Sequence, residues 1–362
     1  MKAIVYESCG SPDVLRCEDI ETPSVGDSQV LIKVRAASAN PLEVAQVKGI
    51  PYIARVIFGL RKPEKGHPAQ LGVDVCGDVE AIGAKVTRFK AGDTVFGVCL
   101  NDPSAPDAKA WVQDRGSFAQ YVCAPESMLE LKPENVTFEQ AATVGVAGAT
   151  ALQGLRDYGH LQSGQNVLIN GAAGGVGTFA VQIAKTLRAD VTGVCNTRNV
   201  EMVRTIGADH IIDYTQEDFT RLGQTYDLIL DCVANHSLSE CRRVLAAKGI
   251  YVMAGDLTGR GMGDILCRLL SAHVLSWVTS QKFITFLAKP RQDDFAALRD
   301  LLKAGTITPV VDKCYTLSQV PDALRYLQLK HSRGKVVIRV TPDNEEDAAK
   351  PAVPSAAELR VS

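Results

Sequence analysis

Residues 170–185 read NGAAGGVGTFAVQIAK, and in this stretch a glycine cluster joins a short apolar run to a helical pattern. The preceding run over Asn166–Asn170 predicts a β-strand, and Gly175–Arg188 predicts the helix that follows it. A strand, a glycine turn and a helix in this order present free backbone N–H groups at the helix start, where they bind a phosphate. The stretch therefore predicts a nucleotide-binding α/β unit.

The turn aligns with the G-x-G-x-x-G fingerprint of dinucleotide-binding proteins, with Ala172 in the first glycine place. Gly174 lets the backbone approach a pyrophosphate, and Gly177 lets the helix pack closely on the strand. The N–H groups of Gly175 and Val176 face the same anion. These residues predict a dinucleotide site, the alternative being a tight turn with a purely structural role.

The alternation of strand and helix continues after the turn. Short β-rich runs lie at 167–169, 191–194, 210–212, 228–231 and 250–253, and helical patterns lie at 175–188, 199–206 and 237–246. This rhythm predicts an α/β fold with a doubly wound parallel sheet, covered by helices on both faces. Before it, the stretch 137–159 predicts one helix.

The flanking regions have different patterns. Residues 1–130 contain short apolar or alternating runs separated by Gly, Pro, Asn and Asp, which predicts a compact antiparallel β domain. After residue 290 the pattern is helix, strand, helix and strand, and 341–362 has the composition of a disordered tail. The stretch 262–283 predicts a helix with an apolar stripe. The stripe faces the core or a second subunit, or else the helix is a membrane-surface element or a substrate lid.

The composition excludes several classes of function. A formal net charge of -2 over 362 residues argues against a general nucleic-acid-binding protein. The N-terminus lacks a secretory-signal pattern and no apolar stretch is long enough to cross a bilayer, so we expect no integral membrane segment. The 10 cysteines are scattered without a Cys-x-x-Cys pair, which predicts free thiols and a cytoplasmic protein.

The end of the second strand of the α/β unit decides which nicotinamide cofactor is expected. NAD-specific folds place a carboxylate there, whereas this chain continues with Cys195, Asn196, Thr197 and Arg198. An arginine beside neutral donors suits a 2′-phosphate, because a guanidinium pairs with phosphate through two hydrogen bonds. The pattern predicts NADPH; in the alternative, Arg198 is a solvated residue at a helix start.

Several motifs in order along the chain resemble the zinc-free quinone oxidoreductase branch of the medium-chain dehydrogenase/reductase superfamily. They are GSPDVL, VLIKVRAASANPLE, LGVDVCGDVEAIGAKVTRFKAGDTVFG, GSFAQYV, GAAGGVGTFAVQIAK, GADHIIDY, DLILDCV and ITPVVDKCY. The resemblance implies a GroES-like, β-rich catalytic domain made of residues 1–134 and 290–340. It also implies a Rossmann NADP-binding domain at 135–289 inserted between them, a tail at 341–362, and a homodimer.

The resemblance further implies roles for individual residues. Asn40 and Tyr52 would line the nicotinamide and substrate cleft, and Thr150 would contact the carboxamide of the cofactor. Cofactor positions are also implied at Asn196, Arg198, Tyr214, Val233 and Gly255, and Lys335 matches a basic position near the phosphate in some relatives. Plainer readings exist: Asn40 is a turn residue before a proline, Tyr52 is a partly buried aromatic residue, and Tyr214 is a strand-end residue.

Zinc-dependent relatives carry a Cys after an early strand, a Gly-His-Glu, and a third Cys or Asp ligand. The matching stretches here are Ala-Asn-Pro at 39–41, Gly-Val-Asp at 72–74 and Gly-Val-Ala-Gly at 145–148. A catalytic zinc needs three protein ligands, and Asp74 alone cannot hold it. The sequence therefore predicts no metal site. The stretch 100–117 is longer than the link usual in zinc-free relatives, and its role stays open.

Without a metal to polarise an alcohol or a simple ketone, we expect hydride transfer from NADPH to an acceptor that is already electrophilic. The leading hypothesis is a quinone reductase in which Asn40 or Tyr52 donates a hydrogen bond to the reacting oxygen. The second is a reductase of enones, alkenals or enoyl thioesters, where the basic residues of 51–70 bind an acyl-carrier phosphate or simply face solvent. The third is a non-catalytic NADPH-binding interaction protein.

Overall fold

The computed structural model of the protein describes residues 1–49, 63, 66, 68–102, 116–254, 262–329 and 332–340, with side chains except at 262–266 and 269. Its strands are β1 (Lys2–Tyr6), β2 (Arg16–Asp19), β3 (Gln29–Ala39), β4 (Ala69–Gln70), β5 (Asp74–Ile82), β6 (Thr94–Val98), β7 (Tyr121–Pro125), β8 (Leu129–Leu131), β9 (Asn166–Asn170), β10 (Asp190–Cys195), β11 (His210–Asp213), β12 (Tyr226–Asp231), β13 (Leu245–Met253), β14 (Lys282–Thr285), β15 (Val311–Thr316) and β16 (Lys335–Arg339). Its helices are α1 (Pro41–Lys48), α2 (Phe138–Ala141), α3 (Val144–Gln153), α4 (Gly175–Thr186), α5 (Val200–Thr205), α6 (Leu238–Arg243), α7 (Met262–Val278), α8 (Gln292–Lys303) and α9 (Val320–Gln328). Several predicted features lie outside the described residues: Tyr52, Gly255, the basic residues Arg55, Arg61, Lys62 and Lys65, most of the 100–117 stretch and the predicted tail at 341–362.

The glycine turn lies at the centre of a six-stranded parallel sheet with the order β11-β10-β9-β12-β13-β14. Alternate residues of β9 enter different cores, because successive side chains of a strand point to opposite faces. Val167 and Ile169 pack in one apolar cluster, and Leu168 packs in another with Ile229 of β12. The predicted doubly wound α/β fold is confirmed.

Several element boundaries differ from the prediction. The helix predicted over 237–246 ends at Arg243, because β13 begins at Leu245 and pairs with Tyr226 of β12. The single helix predicted over 137–159 is divided into α2 and α3, and a π-helical turn at Gly154–Tyr158 continues α3. These ends depend on strand pairing and packing, which a local pattern does not contain.

The stretch 262–283 is a helix only as far as Val278, since its last residues form the edge strand β14. Three of the predicted stripe residues face outward: the exposed fractions of Leu270, Val274 and Trp277 are 59%, 54% and 86%. A core-facing position is therefore wrong for these three side chains. No helix among the described residues is long and apolar enough to cross a membrane.

The second large sheet joins the two ends of the chain. It has seven strands, with the order β15-β16-β3-β5-β6-β8 and β7 paired to β3. β16 runs antiparallel to β3, with Val336 opposite Ala39, so the last described strand completes the N-terminal sheet. The strands of the two predicted domains fall in separate sheets, and the exact domain boundaries stay a prediction.

The two sheets meet at the glycine turn. The N–H of Gly334, just before β16, donates to the carbonyl of Ala173 at 2.8 Å, and Gly334 forms a β-bridge with Gly174. On the other side, β10 and β12 flank β9, so the strand order reverses at the carboxyl end of β9. Ligands of open α/β sheets bind in the crevice at such a reversal. The cleft between the sheets is therefore the candidate site.

Candidate active site

Backbone contacts hold the turn between β9 and α4 open. Gly171 has a φ of +86°, and the N–H groups of Gly171 and Ala172 donate to the carbonyl of Val194 at 3.2 and 3.0 Å. A Cβ on Gly177 would lie 2.1 Å from the Gly171 oxygen, so no side chain fits there. Among the described residues, a Cβ on Gly174 would meet only that oxygen, at 3.4 Å, so this part of the chain leaves room above Gly174 for a phosphate.

The helix start after the turn offers donors to an anion. Gly174 caps α4 without a side-chain hydrogen bond. The first N–H groups of any helix, here those of Gly175 and Val176, have no intrahelical acceptor and carry the positive end of the helix dipole. The glycine turn and the start of α4, called the phosphate cradle below, therefore fit a dinucleotide pyrophosphate. Alignment to the fingerprint missed Gly171, which makes the sharp turn one residue before Ala172; a glycine directly after a strand was the available signal.

The residues predicted for the 2′-phosphate lie together at the carboxyl ends of β10 and β11. Asn196 is half-buried, and its Oδ1 atom has no hydrogen-bond partner in the part of the chain that the structure describes. Arg198 is exposed in the next turn, and Tyr214 is 55% exposed with its N–H on the carbonyl of Cys195 at 2.9 Å. The arrangement places a cation, an amide and a phenol at one exposed rim.

A carboxylate that the sequence analysis missed lies at the same rim. Asp213 ends β11 and stands beside Cys195 in the parallel register. Its carboxylate accepts the hydroxyls of Thr197 at 2.6 Å and Thr215 at 2.8 Å, and the amide of Gln216 at 2.9 Å. The hydrogen bond from Thr197 is the main reason why the pKa of Asp213 lies below its usual value. The ionised carboxylate therefore fixes the turn that carries Arg198.

The charge of Arg198 also reaches the other side of the cleft. Burial raises the pKa of Tyr326 on α9 to about 12, the hydrogen bond to Asp312 adds to the rise, and Arg198 opposes it. The Tyr326 hydroxyl donates to Asp312 at 2.7 Å, and the same carboxylate accepts the N–H of Arg333 at 3.0 Å. The predicted phosphate end is thus bordered by both parts of the chain.

A buried carboxylate anchors the loop after β12. Asp231 accepts the amide of Asn170 at 2.9 Å and the N–H of Val233 at 3.0 Å through Oδ1. The Tyr251 hydroxyl donates to its other oxygen at 2.7 Å, and Arg268 of α7 donates to that hydroxyl at 2.7 Å. The predicted cofactor residue Val233 is 45% exposed in this anchored loop.

The predicted nicotinamide end contains a buried polar cluster centred on Asp74, the first residue of β5. Its Oδ2 accepts the Ser38 hydroxyl at 2.5 Å, the Asn40 amide at 3.1 Å and the Lys335 ammonium at 3.2 Å. Its Oδ1 accepts the N–H of Val146 in the first turn of α3 at 2.7 Å. Asp74 is 0% exposed, and the four donors take the place of the water that its carboxylate loses on burial.

Asn40 and Lys335 occupy this cluster in a way the sequence did not predict. The Asn40 amide donates to Asp74 and, at 3.4 Å, to the Ser38 carbonyl, while its Oδ1 accepts from Lys335. In this arrangement Asn40 has no donor left for a substrate oxygen. The aliphatic part of the Lys335 side chain lies against the glycine turn, since a Cβ on Gly175 would be 2.9 Å from the Cδ of Lys335. The ammonium group of Lys335 points into the cluster and not toward the turn.

Glu43 is a second buried carboxyl of this region. It lies in the first turn of α1, and its Oε2 accepts the N–H of Asn40 at 2.8 Å. Its Oε1 is buried and has no partner among the described residues. Burial raises the pKa of Glu43 to about 7, nearby Asp74 adds to the rise, and Lys335 lowers it. The Asn-x-x-Glu spacing is a capping-box signal for this contact that the sequence analysis did not use.

Thr150 lies one helical turn beyond Val146. Its hydroxyl donates to the Val146 carbonyl at 2.7 Å, and the residue is 8% exposed. The contact with the carboxamide stays a prediction, as do the roles of Tyr52 and Gly255, which lie outside the described residues.

The side chains at 39–41, 72–74 and 145–148 do not form a catalytic zinc site. The three stretches that would carry ligands do converge, since Asn40 and Val146 both bind Asp74 and a Cβ on Gly145 would lie 2.5 Å from its Oδ1. They offer one carboxylate, which Lys335 already neutralises. Among the residues with described side chains, no group of three or more His, Cys, Asp or Glu could hold a metal ion. The residues therefore do not fit a zinc ion.

Comparisons with known proteins agree with this geometry. Residues 26–134 match the family described as alcohol dehydrogenase GroES-like domain, and 206–338 match the family described as zinc-binding dehydrogenase. The chain is 30% identical to a 2-methylene-furan-3-one reductase of Solanum lycopersicum and 31% identical to a chloroplastic NADPH-dependent alkenal/one oxidoreductase of Arabidopsis thaliana. Each of these alignments covers 94% of this chain and 80% of the relative. A quinone oxidoreductase structure from Coxiella burnetii aligns with a TM-score of 0.77 at 29% identity, over 94% of this chain and 99% of that one.

The fold, the glycine turn and these matches define a nicotinamide-dependent oxidoreductase with a GroES-like part and a Rossmann part. The chain belongs to the medium-chain dehydrogenase/reductase superfamily, in its zinc-independent quinone oxidoreductase branch.

Proposed function

We propose that the protein is an NADPH-dependent, zinc-independent reductase that transfers hydride to quinones or related α,β-unsaturated carbonyl compounds. The proposal rests on two features of the cleft. One is the open glycine turn, which leaves room for a phosphate. The other is the predicted nicotinamide end around Asp74, called the catalytic end below, where the carboxylate pairs with the Lys335 ammonium and the described side chains offer no set of metal ligands. The names of the relatives from tomato and Arabidopsis support the class of acceptor.

Each end of the cleft has a separate task in the proposed reaction. When bound, NADPH supplies the hydride. The glycine turn binds the pyrophosphate, and Thr150 orients the nicotinamide ring. The acceptor must already be electrophilic, because the site offers no Lewis acid to activate it. The carbonyl oxygen of the acceptor takes up the electron pair, and water supplies its proton. Tyr52 is assigned as the donor to this oxygen, since both amide hydrogens of Asn40 are engaged.

The preference for NADPH over NADH is the finer part of the proposal. It is supported by the exposed guanidinium of Arg198 beside Asn196 and Tyr214. Asp213 lies at the end of the next strand, β11, and its carboxylate accepts hydrogen bonds from Thr197 and Thr215. Guanidinium–phosphate pairs are among the strongest hydrogen-bonded contacts, so Arg198 is expected to dominate the choice.

The test is the consumption of NADPH and NADH, followed by absorbance, with an ortho-quinone, a para-quinone and a 2-alkenal. NADPH-selective turnover of any of these acceptors supports the proposal. Turnover of the quinones assigns the quinone class, and turnover of the alkenal alone assigns the enone class. Tight NADPH binding without oxidation by any acceptor favours the non-catalytic interaction protein. Faster turnover with NADH contradicts the assignment of Arg198.

We also propose a homodimer. The outward-facing Leu270, Val274 and Trp277 of α7 lie beside the sheet-edge strand β14, and exposed apolar stripes of this kind are typical of subunit contacts. Sedimentation of the wild type and of Trp277→Ser tests this. A monomeric wild type contradicts it.

The proposed compartment is the cytoplasm. All 10 cysteines are free thiols, as is usual in a reducing environment. Imaging of the full chain with a fluorescent fusion tests this, and an organellar pattern contradicts it.

A further inference from the structure

We propose that Lys335 and Asp74 are a positioning pair: one buried ion pair fixes the glycine turn and the start of α3 relative to each other. Neither residue then needs to touch a substrate. The inference deepens the proposed function, since the turn binds the phosphate end of the cofactor and α3 carries Thr150 at the nicotinamide end.

The first link runs from the glycine turn to the charge of Lys335. Gly334 is hydrogen-bonded to Ala173 at 2.8 Å, so the residue that follows is held at the turn. The Lys335 stem then crosses Gly175, where a Cβ would come within 2.9 Å of it. The direction of this side chain is therefore set by the phosphate cradle itself.

The second link is the ion pair. The Lys335 ammonium lies 3.2 Å from Asp74 Oδ2 and also donates to Asn40 Oδ1. The side chains of Lys335 and Asp74 are 4% and 0% exposed. Solvent screens the attraction between two such buried charges only weakly, and removal of one partner leaves the other charge uncompensated. Each charge therefore holds the other in place.

The third link runs from the carboxylate to Thr150. Asp74 Oδ1 accepts the N–H of Val146 at 2.7 Å, and the carbonyl of the same residue accepts the Thr150 hydroxyl at 2.7 Å. Gly145 permits this close approach, because any Cβ there would lie 2.5 Å from the carboxylate. A negative charge at a helix start is also favoured by the helix dipole. An unbroken chain of contacts thus joins the phosphate cradle to Thr150.

The test uses Lys335→Met, Lys335→Arg and the charge-balanced double variant Asp74→Asn/Lys335→Met. The matched control is Lys185→Met, which removes another lysine–aspartate pair, with Asp209 at 2.6 Å, from the far end of α4. The ligand-free readout is hydrogen exchange of the Val146 amide. We expect exchange to be at least tenfold faster in Lys335→Met, largely restored in Lys335→Arg, and unchanged in the control.

The second readout follows hydride transfer with NADPH deuterated at the transferred position. In Lys335→Met we expect a higher KM for NADPH, at least tenfold lower kcat and a larger isotope effect on kcat, because hydride transfer becomes slower. The double variant removes both charges, so it should lose less stability to urea than Lys335→Met and still show the slow step.

The result that overturns the inference is wild-type exchange, KM and isotope effect in Lys335→Met, whatever its thermal stability. Wild-type kcat in the double variant overturns it too, since the pair would then only balance charge. A wild type that does not oxidise NADPH contradicts the proposed function alone, because the exchange comparison needs no turnover.

Discussion

The two ends of the cleft are built in opposite ways. The phosphate end is one contiguous stretch, β9, the turn and the start of α4, held by main-chain contacts and bordered by exposed side chains. The catalytic end is assembled from β3, β5, α3 and β16, and side-chain charges hold it together in the interior. A turn determined by local backbone geometry tolerates change in its exposed neighbours. A buried charge cluster does not, because each member depends on the others.

The sharpest test of the phosphate end is Gly177→Ala. The added Cβ would stand 2.1 Å from the Gly171 carbonyl oxygen, so the backbone must move. We expect the free energy of unfolding to fall by about 3 kcal/mol or more, with loss of NADPH binding. Urea unfolding and cofactor fluorescence measure the two effects.

The matched variant is Gly174→Ala, whose Cβ meets only one atom at 3.4 Å. Its stability should stay within about 1 kcal/mol of the wild type, while NADPH affinity falls because the methyl group occupies the phosphate position. Equal destabilisation of both variants would contradict this account of the turn.

At the catalytic end, Glu43→Gln should change how stability depends on pH. The folded pKa of Glu43 is raised to about 7 from 4.5, so between these values the folded state binds more protons than the unfolded state. The free energy of unfolding of the wild type should therefore fall as pH rises from 4.5 to 7, by on the order of 3 kcal/mol in this contribution.

Glutamine retains an acceptor for the Asn40 N–H and has no charge to lose, so the curve of Glu43→Gln should be flatter in this window. Urea unfolding at pH 5, 6, 7 and 8 measures both curves, with exposed Glu201→Gln as the control. Parallel curves for wild type and Glu43→Gln would show that Glu43 does not titrate there.

Arg198→Ala probes the exposed rim of the phosphate end. Loss of a charge-assisted contact worth roughly 1.5–3 kcal/mol should raise the KM for NADPH by about 10- to 100-fold and leave that for NADH unchanged. Steady-state kinetics with both cofactors measure this, and Arg204→Ala on α5, an exposed arginine paired with Glu201, is the control. An equal rise for both cofactors would exclude a 2′-phosphate contact.

The smallest expected effect is that of a chelator. Because the catalytic end lacks a donor set for zinc, prolonged treatment with a chelator should leave kcat unchanged, and added Zn²⁺ should not raise it. Turnover before and after dialysis against the chelator measures this. Loss of activity that Zn²⁺ restores would refute the assignment of the three converging stretches.

The features that could be predicted from the sequence were those whose residues lie close together along the chain. The strand, turn and helix around Gly174 have a local pattern, and the ligand positions for zinc are read from residue types alone. The link between Thr197 and Asp213 spans 16 residues and needs the parallel register of β10 and β11, so the pattern at the end of β10 did not reveal it.

The catalytic end was less predictable for the same physical reason. Lys335 and Asp74 are 261 residues apart, and the resemblance that implied a cofactor position for Lys335 contains no information on this pairing. The raised pKa of Glu43 depends on its complete burial beside Asp74, which no spacing of residues contains.

The position of β16 has a consequence for synthesis of the protein. Lys335 bonds to the carbonyl of Ala39 across 296 residues, so the side of β3 that pairs with β16 stays unpaired until those residues have been synthesised. On the ribosome, β9, the glycine turn and α4 emerge long before this strand, and at that stage the cradle lacks Lys335 and the contact with Gly334. The growing chain therefore acquires the glycine turn early but completes the candidate site only when β16 docks.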